Sequence, residues 1–176
     1  RWKKTEEYLE LKKIILIDRD GVINKKAPRG EYISSWNEFE WIADTRVALK
    51  LLAKKGFKFI VISNQAGIAR GMVTLKELEK IHINMMKELL SDGIEILDIY
   101  ICPHHWDEDC LCRKPNPGML LKASKDWLLR LDKTLFIGDD HRDSKASYNA
   151  GCKSVLIGEK TETAKLLENE MPIYTN

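Results

Sequence analysis

Ile14-Ile15-Leu16-Ile17-Asp18-Arg19-Asp20-Gly21-Val22-Ile23-Asn24 carries an apolar run that stops at two carboxylates one residue apart. Four consecutive branched apolar residues without polar alternation predict a strand covered on both faces, as in a parallel sheet, and Gly21 lets the chain turn away. Ligands of open α/β sheets bind beyond the carboxyl ends of the strands, so Asp18 and Asp20 stand where a site is expected. Taken alone, an Asp-x-Asp reads as readily as a solvated turn. Repetition favours the site. Phe59-Ile60-Val61-Ile62 ends in Ser63-Asn64, and Leu135-Phe136-Ile137-Gly138 ends in Asp139-Asp140, so three apolar runs present polar groups at the same end.

Outward from that strand the pattern alternates. Val47, Ala48, Leu51 and Leu52 recur at helical spacing between Asp44 and Lys55, with Gly56 as a stop. A strand from Phe57 to Ser63 follows. Thr74-Leu75-Lys76-Glu77 is a capping box that opens an amphipathic helix through Leu78, Ile81, Met85 and Leu89 to about Ser91. His82 lies inside this helix and reads as a surface or half-buried histidine. A strand from Glu95 to Ile101, a helix from Pro115 to Leu129 with proline in its first turn, a strand from Thr134 to Gly138, a helix from Asp143 to Ala150 and a strand from Ser154 to Ile157 complete the pattern. Strands alternating with helices predict a three-layer, Rossmann-like α/β domain with a mostly parallel central sheet. Two loops fall on its active edge: Lys25 to Tyr32, whose Pro, Gly and charges mark exposure, and Asn64 to Gly71.

At 176 residues the chain is long enough for one well-buried domain. Residues 14–170 are expected to form it, with 1–13 an extension or linker and 171–176 a tail. No apolar run approaches the roughly 20 residues that span a bilayer, so no membrane contact is expected. Twenty-nine basic against 27 acidic side chains give a net charge of +2, which is no general polyanion signal; attraction to phosphate must be local.

Cys102-Pro103-His104-His105-Trp106-Asp107-Glu108-Asp109-Cys110-Leu111-Cys112 gathers three of the four cysteines with two histidines. Crowded thiols without a secretory signal suggest metal in a reducing cytoplasm rather than a disulfide framework. Cys102, His104, Cys110 and Cys112 make a Cys₃His set, the composition of a closed structural Zn²⁺ site, with His105 as an alternative to His104. Zinc here would pin the segment leading into Arg113-Lys114-Pro115.

Asp18-x-Asp20-Gly21, Ser63-Asn64, Lys114 and Gly138-Asp139-Asp140, in this order over residues 14–157, resemble the haloacid dehalogenase superfamily of phosphohydrolases. The resemblance implies Asp18 as nucleophile, Asp20 as general acid and then base, Ser63 and Lys114 as phosphoryl ligands, and Mg²⁺ on Asp18, the carbonyl of Asp20 and Asp139. For the acid role Asp20 must have its pKa raised relative to Asp18. The zinc-loop run, with Ser-Asn-Gln-Ala-Gly-Ile-Ala-Arg-Gly at 63–71, is similar to the cap-less branch that holds heptose bisphosphate and histidinol-phosphate phosphatases. It implies no separate cap domain and a small phosphorylated substrate touched by Arg113, with Asn64, Gln65, Arg29 and Tyr32 as further candidates. Heptose 1,7-bisphosphate is the first expectation and histidinol phosphate the second. The chain departs from the heptose enzymes where many have Gly-Asp-Lys, and Asp140 is a candidate additional Mg²⁺ ligand there.

Two readings of other classes compete. A nucleic-acid end-processing phosphatase would need a basic, aromatic-bearing groove, for which the sequence offers little beyond Arg1 to Lys4 and the early loop. A noncatalytic zinc-ordered interaction module would not need every catalytic residue type present. A monomer is favoured.

Overall fold

The computed structural model describes residues 12–158, so the expected tail, the extension up to residue 11 and the stretch after 158 lie outside the described residues. Strands β1 (Ile14–Ile17), β2 (Lys58–Asn64), β3 (Ile96–Cys102), β4 (Leu135–Gly138) and β5 (Lys153–Leu156) form one sheet in the order β3-β2-β1-β4-β5. All of its pairings are parallel, with Ile15 opposite Phe59 on one side and Leu135 on the other. The chain builds outward from β1 to β3, then returns to the other flank of β1 for β4. Strand order therefore reverses at β1, and the crevice at such a reversal is where α/β sheets take ligands.

Helices α1 (Ala43–Lys54) and α2 (Leu75–Ser91) cover one face, and α3 (Gly118–Trp127) and α4 (His141–Ala150) the other. The unalternated run of β1 is divided between them: Ile15 and Ile17 pack with Leu49, Ile81 and Met85, whereas Ile14 and Leu16 pack with Leu120, Ala123 and Ala146. Leu16 is fully buried, and cutting it to alanine should cost about 2–5 kcal/mol. Among the described residues no second domain is inserted, and no helix is long and apolar enough to cross a membrane.

The helices differ from expectation in three places, each for a local reason. In α1 the buried stripe runs through Leu49 with Leu52 and Ala53, leaving Val47 61% and Leu51 57% exposed. Arg46, bonded to Glu88 of α2 (3.2 Å) and to its C-cap Asp92 (2.5 Å), fixes which face turns inward. α3 begins at Gly118 rather than Pro115, because residues 113–117 turn under the zinc loop: Asn116 Nδ2 donates to Cys110 O and Gly118 N to Leu111 O. α4 begins at His141, since Asp140 caps it and Asp143 completes a capping box.

Candidate active site

The chemistry gathers at the carboxyl ends of β1, β2 and β4. Asp18 leaves β1 with its amide donating to Ile137 O (2.9 Å), and its Oδ1 accepts from the Arg19 amide (2.7 Å) and faces Lys114 Nζ (3.0 Å). Lys114 is buried; its ammonium also reaches Asp143 Oδ1 (2.7 Å) and donates to Ile62 O (2.9 Å). The other oxygen of Asp143 accepts from the amides of Asp139 and Asp140, both at 3.1 Å. Asp143 thus ties a cation from one loop to the end of β4. A cleft of about 80 Å³ opens over these groups, lined also by Asp20, Ser63, Lys26 and Arg142.

Asp20 is held tightly. Oδ1 accepts from Arg19 Nη2 (2.8 Å), Arg19 Nε (3.3 Å) and Asn24 Nδ2 (2.9 Å), whereas Oδ2 accepts only from Gln65 Nε2 (2.8 Å) among the described residues. Gln65 also donates to Ser63 Oγ (2.8 Å). The two carboxyls titrate oppositely, and the order reverses the expectation. Burial pushes Asp18 up to about 7; Lys114 partly offsets this, and the neighbouring Asp143 and Asp20 add to it. Asp20 bears a burial penalty too, but the Arg19 guanidinium and the bonds from Asn24 and Gln65 outweigh it and hold the carboxyl below its usual value.

Several of the expected residues also make contacts within the protein. Asn64, a candidate substrate ligand, clamps the Lys114 backbone: its Nδ2 donates to Lys114 O (3.1 Å) and its Oδ1 accepts from Lys114 N (3.0 Å). Gln65 is buried and committed to Asp20 and Ser63. Asp140 is not in the carboxylate cluster. Its oxygens accept from Arg142 Nε (2.8 Å), Nη2 (2.9 Å) and N (2.9 Å), which more than offsets burial and holds it well below the usual range, and it caps α4 while also lining the cleft. Arg113 is half-buried and its Nη1 donates to His104 O (3.4 Å). Tyr32 packs on Gly67 and is reached by Arg70 (3.5 Å), and Arg29 is exposed on the same loop. Asp143, Lys26, Arg142 and Arg19 were not among the expected site residues. Only Asp143 had a readable signal, the capping-box spacing from Asp140, and that signal points to helix geometry rather than to a site.

Among the described residues two donor sets suit metals. Asp18, Asp139 and Asp143 offer oxygens within 4.8 Å of one another, and Asp139 Oδ1 is buried with no hydrogen-bond partner among the described residues. An orphaned carboxylate oxygen among hard donors fits a divalent cation such as Mg²⁺. Lys26 Nζ sits 2.6 Å from the other oxygen of Asp139. Gly21 makes room here: at φ +90 a Cβ would lie 2.1 Å from Asp139 Oδ2, so no side chain is admissible.

The second set is Cys102, His104, Cys110 and Cys112, whose donor atoms lie within 4.8 Å of one another, five of the six pairs at 3.1 to 3.7 Å. A tetrahedron of metal–sulfur bonds near 2.3 Å has edges of about 3.8 Å, so the cage fits Zn²⁺ with slight expansion. His104 enters it through Nδ1, whereas His105 points outward against Trp106 and Asp107. Gly118 closes the loop beneath, where a Cβ would lie 2.3 Å from Leu111 O.

A parallel sheet ending in an Asp-x-Asp, a buried lysine paired with the first aspartate and an acidic cluster after β4 defines the haloacid dehalogenase-like class. The family model described as polynucleotide kinase 3 phosphatase matches residues 13–155, and the chain belongs to that family. It is 37% identical over 171 residues to D-glycero-alpha-D-manno-heptose-1,7-bisphosphate 7-phosphatase of Photorhabdus laumondii, covering 89% of this chain and 92% of that protein. It is 38% identical over 146 residues to the D-glycero-beta-D-manno-heptose enzyme of Helicobacter pylori, covering 82% of each. The crystal structure of D,D-heptose 1,7-bisphosphate phosphatase from B. bronchiseptica, complexed with magnesium and phosphate, superposes with a TM-score of 0.80 at 30% identity, covering 90% of this chain and 88% of that one.

Proposed function

We propose that the chain is a Mg²⁺-dependent phosphomonoesterase that removes one phosphoryl group from a heptose 1,7-bisphosphate through an aspartyl-phosphate. The observation that carries this reading is the pairing of Asp18 with buried Lys114 beside an Asp20 whose Oδ2 has one donor only among the described residues. Asp18 attacks phosphorus in line, an Asp18–phosphorus bond forms, and the bond from phosphorus to the sugar oxygen breaks. Asp20 gives its proton to that oxygen, then takes one from the water that cleaves the aspartyl-phosphate. Lys114 and the Ser63 hydroxyl face the phosphoryl oxygens and balance their growing charge.

Bound to Asp18, Asp139 and the Asp20 carbonyl, with Asp143 in reach, Mg²⁺ would supply a further positive charge to the phosphoryl group. The acid role needs a proton on Asp20. A substrate dianion arriving beside Asp20 raises the energy of its ionised form, which shifts the proton toward it in the complex. Zn²⁺ on the thiol cage would brace residues 102–112 and, through Cys112, the adjoining Arg113 and Lys114.

The relatives' names support heptose bisphosphate, whereas the family description names a polynucleotide. The test is phosphate release, with and without Mg²⁺, from both anomers of the heptose bisphosphate, histidinol phosphate and a 3′-phosphorylated oligonucleotide. The reading expects Mg²⁺-dependent release with the highest kcat/KM on one heptose anomer. Preference for histidinol phosphate or the oligonucleotide would replace the substrate, and Mg²⁺-independent turnover would overturn the mechanism.

A further inference from the structure

Arg19 is the largest fully buried side chain of the described residues, 1% exposed, and a guanidinium so placed needs an acceptor for each edge it turns inward. Its Nε and Nη2 both serve Asp20 Oδ1. Its remaining nitrogen, Nη1, lies 3.2 Å from Nε2 of His82, in the middle of α2 and not among the residues lining the cleft. Because the guanidinium is always cationic and only donates, His82 must accept at Nε2 and carry its proton on Nδ1. Burial, with the facing Arg19 charge second, pushes His82 down to about 3, in keeping with a neutral ring that accepts. Asp20 acts in the opposite direction on that ring but does not reverse the result.

We infer that His82 is a positioning residue for Asp20: it holds the Arg19 fork so that both inner nitrogens fall on Oδ1 and Oδ2 is left for the proton. The geometry gives the two oxygens of Asp20 different tasks. Three donors saturate Oδ1, from Arg19 twice and Asn24 once, while among the described residues Oδ2 carries the bond from Gln65 alone, and Asp20 lines the cleft. If the fork rotates, a donor moves toward Oδ2 or leaves Oδ1, and the proton-transferring oxygen loses its aim. His82 touches neither substrate nor reacting atoms and acts only through Arg19. The inference rests on the proposed role of Asp20 in protonating the leaving oxygen.

The experiment compares His82→Ala and His82→Gln on a sugar phosphate, whose leaving alkoxide needs a proton, and on p-nitrophenyl phosphate, whose leaving phenolate hardly does. His82→Ala should lower kcat on the sugar phosphate by roughly 10-fold or more, with KM near wild type and a several-fold smaller loss on the aryl ester. His82→Gln, whose amide oxygen can accept from Nη1, should recover most of the loss. In the wild-type protein at pH 7, ¹⁵N spectra should show His82 neutral with the proton on Nδ1. Equal losses on both esters, no loss in His82→Ala, a glutamine variant no better than alanine, or an Nε2-protonated ring would each overturn the inference. Should Asp20→Asn impair both esters equally, the acid assignment itself has failed; wild-type selectivity for the sugar phosphate with an inert His82→Ala would leave that assignment standing and remove His82 alone.

Discussion

The two clusters that suit a metal are built in opposite ways. The thiol cage comes from one loop, residues 102–112, and offers three sulfurs and a nitrogen with no donor left over. The carboxylate cleft draws Asp18 from β1, Asp139 from the end of β4 and Asp143 from α4, and it holds its own cation in Lys114. A closed soft cage has no open position for substrate, which suits a bracing role. An open hard cluster with an orphaned oxygen has charge to spend on a ligand. Position in the sheet makes the second, whereas spacing in the sequence makes the first.

The sharpest test of this contrast is Asp18→Asn, which should abolish phosphate release from every substrate while zinc content, measured by mass spectrometry of the metal, stays at about one per chain. Loss of zinc in that variant would show the clusters to be one unit. Next in size is Asp143→Ala. It strips buried Lys114 of an acceptor and two amides of theirs, and should lower turnover by about 10²-fold or more. It should also destabilise the fold by roughly 3–5 kcal/mol in denaturant titrations. A variant with full activity would remove Asp143 from the site.

Asp20→Asn should reduce turnover of an alkyl phosphate by about 10²-fold and of p-nitrophenyl phosphate by clearly less. Cys110→Ser is expected to act on the other cluster: if the cage works through the placement of Lys114, zinc falls below one per chain, the melting temperature drops, and activity per folded molecule declines about 10-fold. Undiminished zinc binding would show that three donors suffice.

The smallest expected effect is in pH. In metal-free protein the folded state keeps a proton on Asp18 up to about 7, whereas the unfolded chain loses it near the usual 3.8. The folded state therefore binds more protons across that window, and this contribution to stability is full below about 4 and lost as pH rises through about 7. Asp18→Asn should flatten that part of the profile and leave metal-free protein more stable than wild type at pH 8, as thermal melts would reveal. A wild-type profile that rises across the window in parallel with the variant's would contradict the burial of Asp18.

What could be read in the sequence follows the same division. The cage was legible because its donors are adjacent, and spacing alone left only the choice between His104 and His105, of which the fold brings His104 to the thiols and turns His105 onto Trp106. The parallel sheet was legible because Ile14 to Ile17 contains no polar residue, which a strand with one wet face would need. Asp143 was not, since three residues after Asp140 it is indistinguishable from a helix-capping acid until the sheet brings Lys114 beneath it. The same holds for Arg19, whose burial depends on α2 arriving with His82, and for α1, where Arg46 rather than the densest apolar spacing selects the inner face.

Gly118 binds none of these atoms, yet a single methyl group there would meet the Leu111 carbonyl at 2.3 Å and the Cys112 backbone at 3.1 Å. A variant that alters it keeps every zinc donor and every cleft carboxylate intact in its sequence. Screening a genome or a patient-style variant catalogue by ligand residues alone would therefore pass such a chain as functional, and this glycine belongs in the signature by which active copies are recognised.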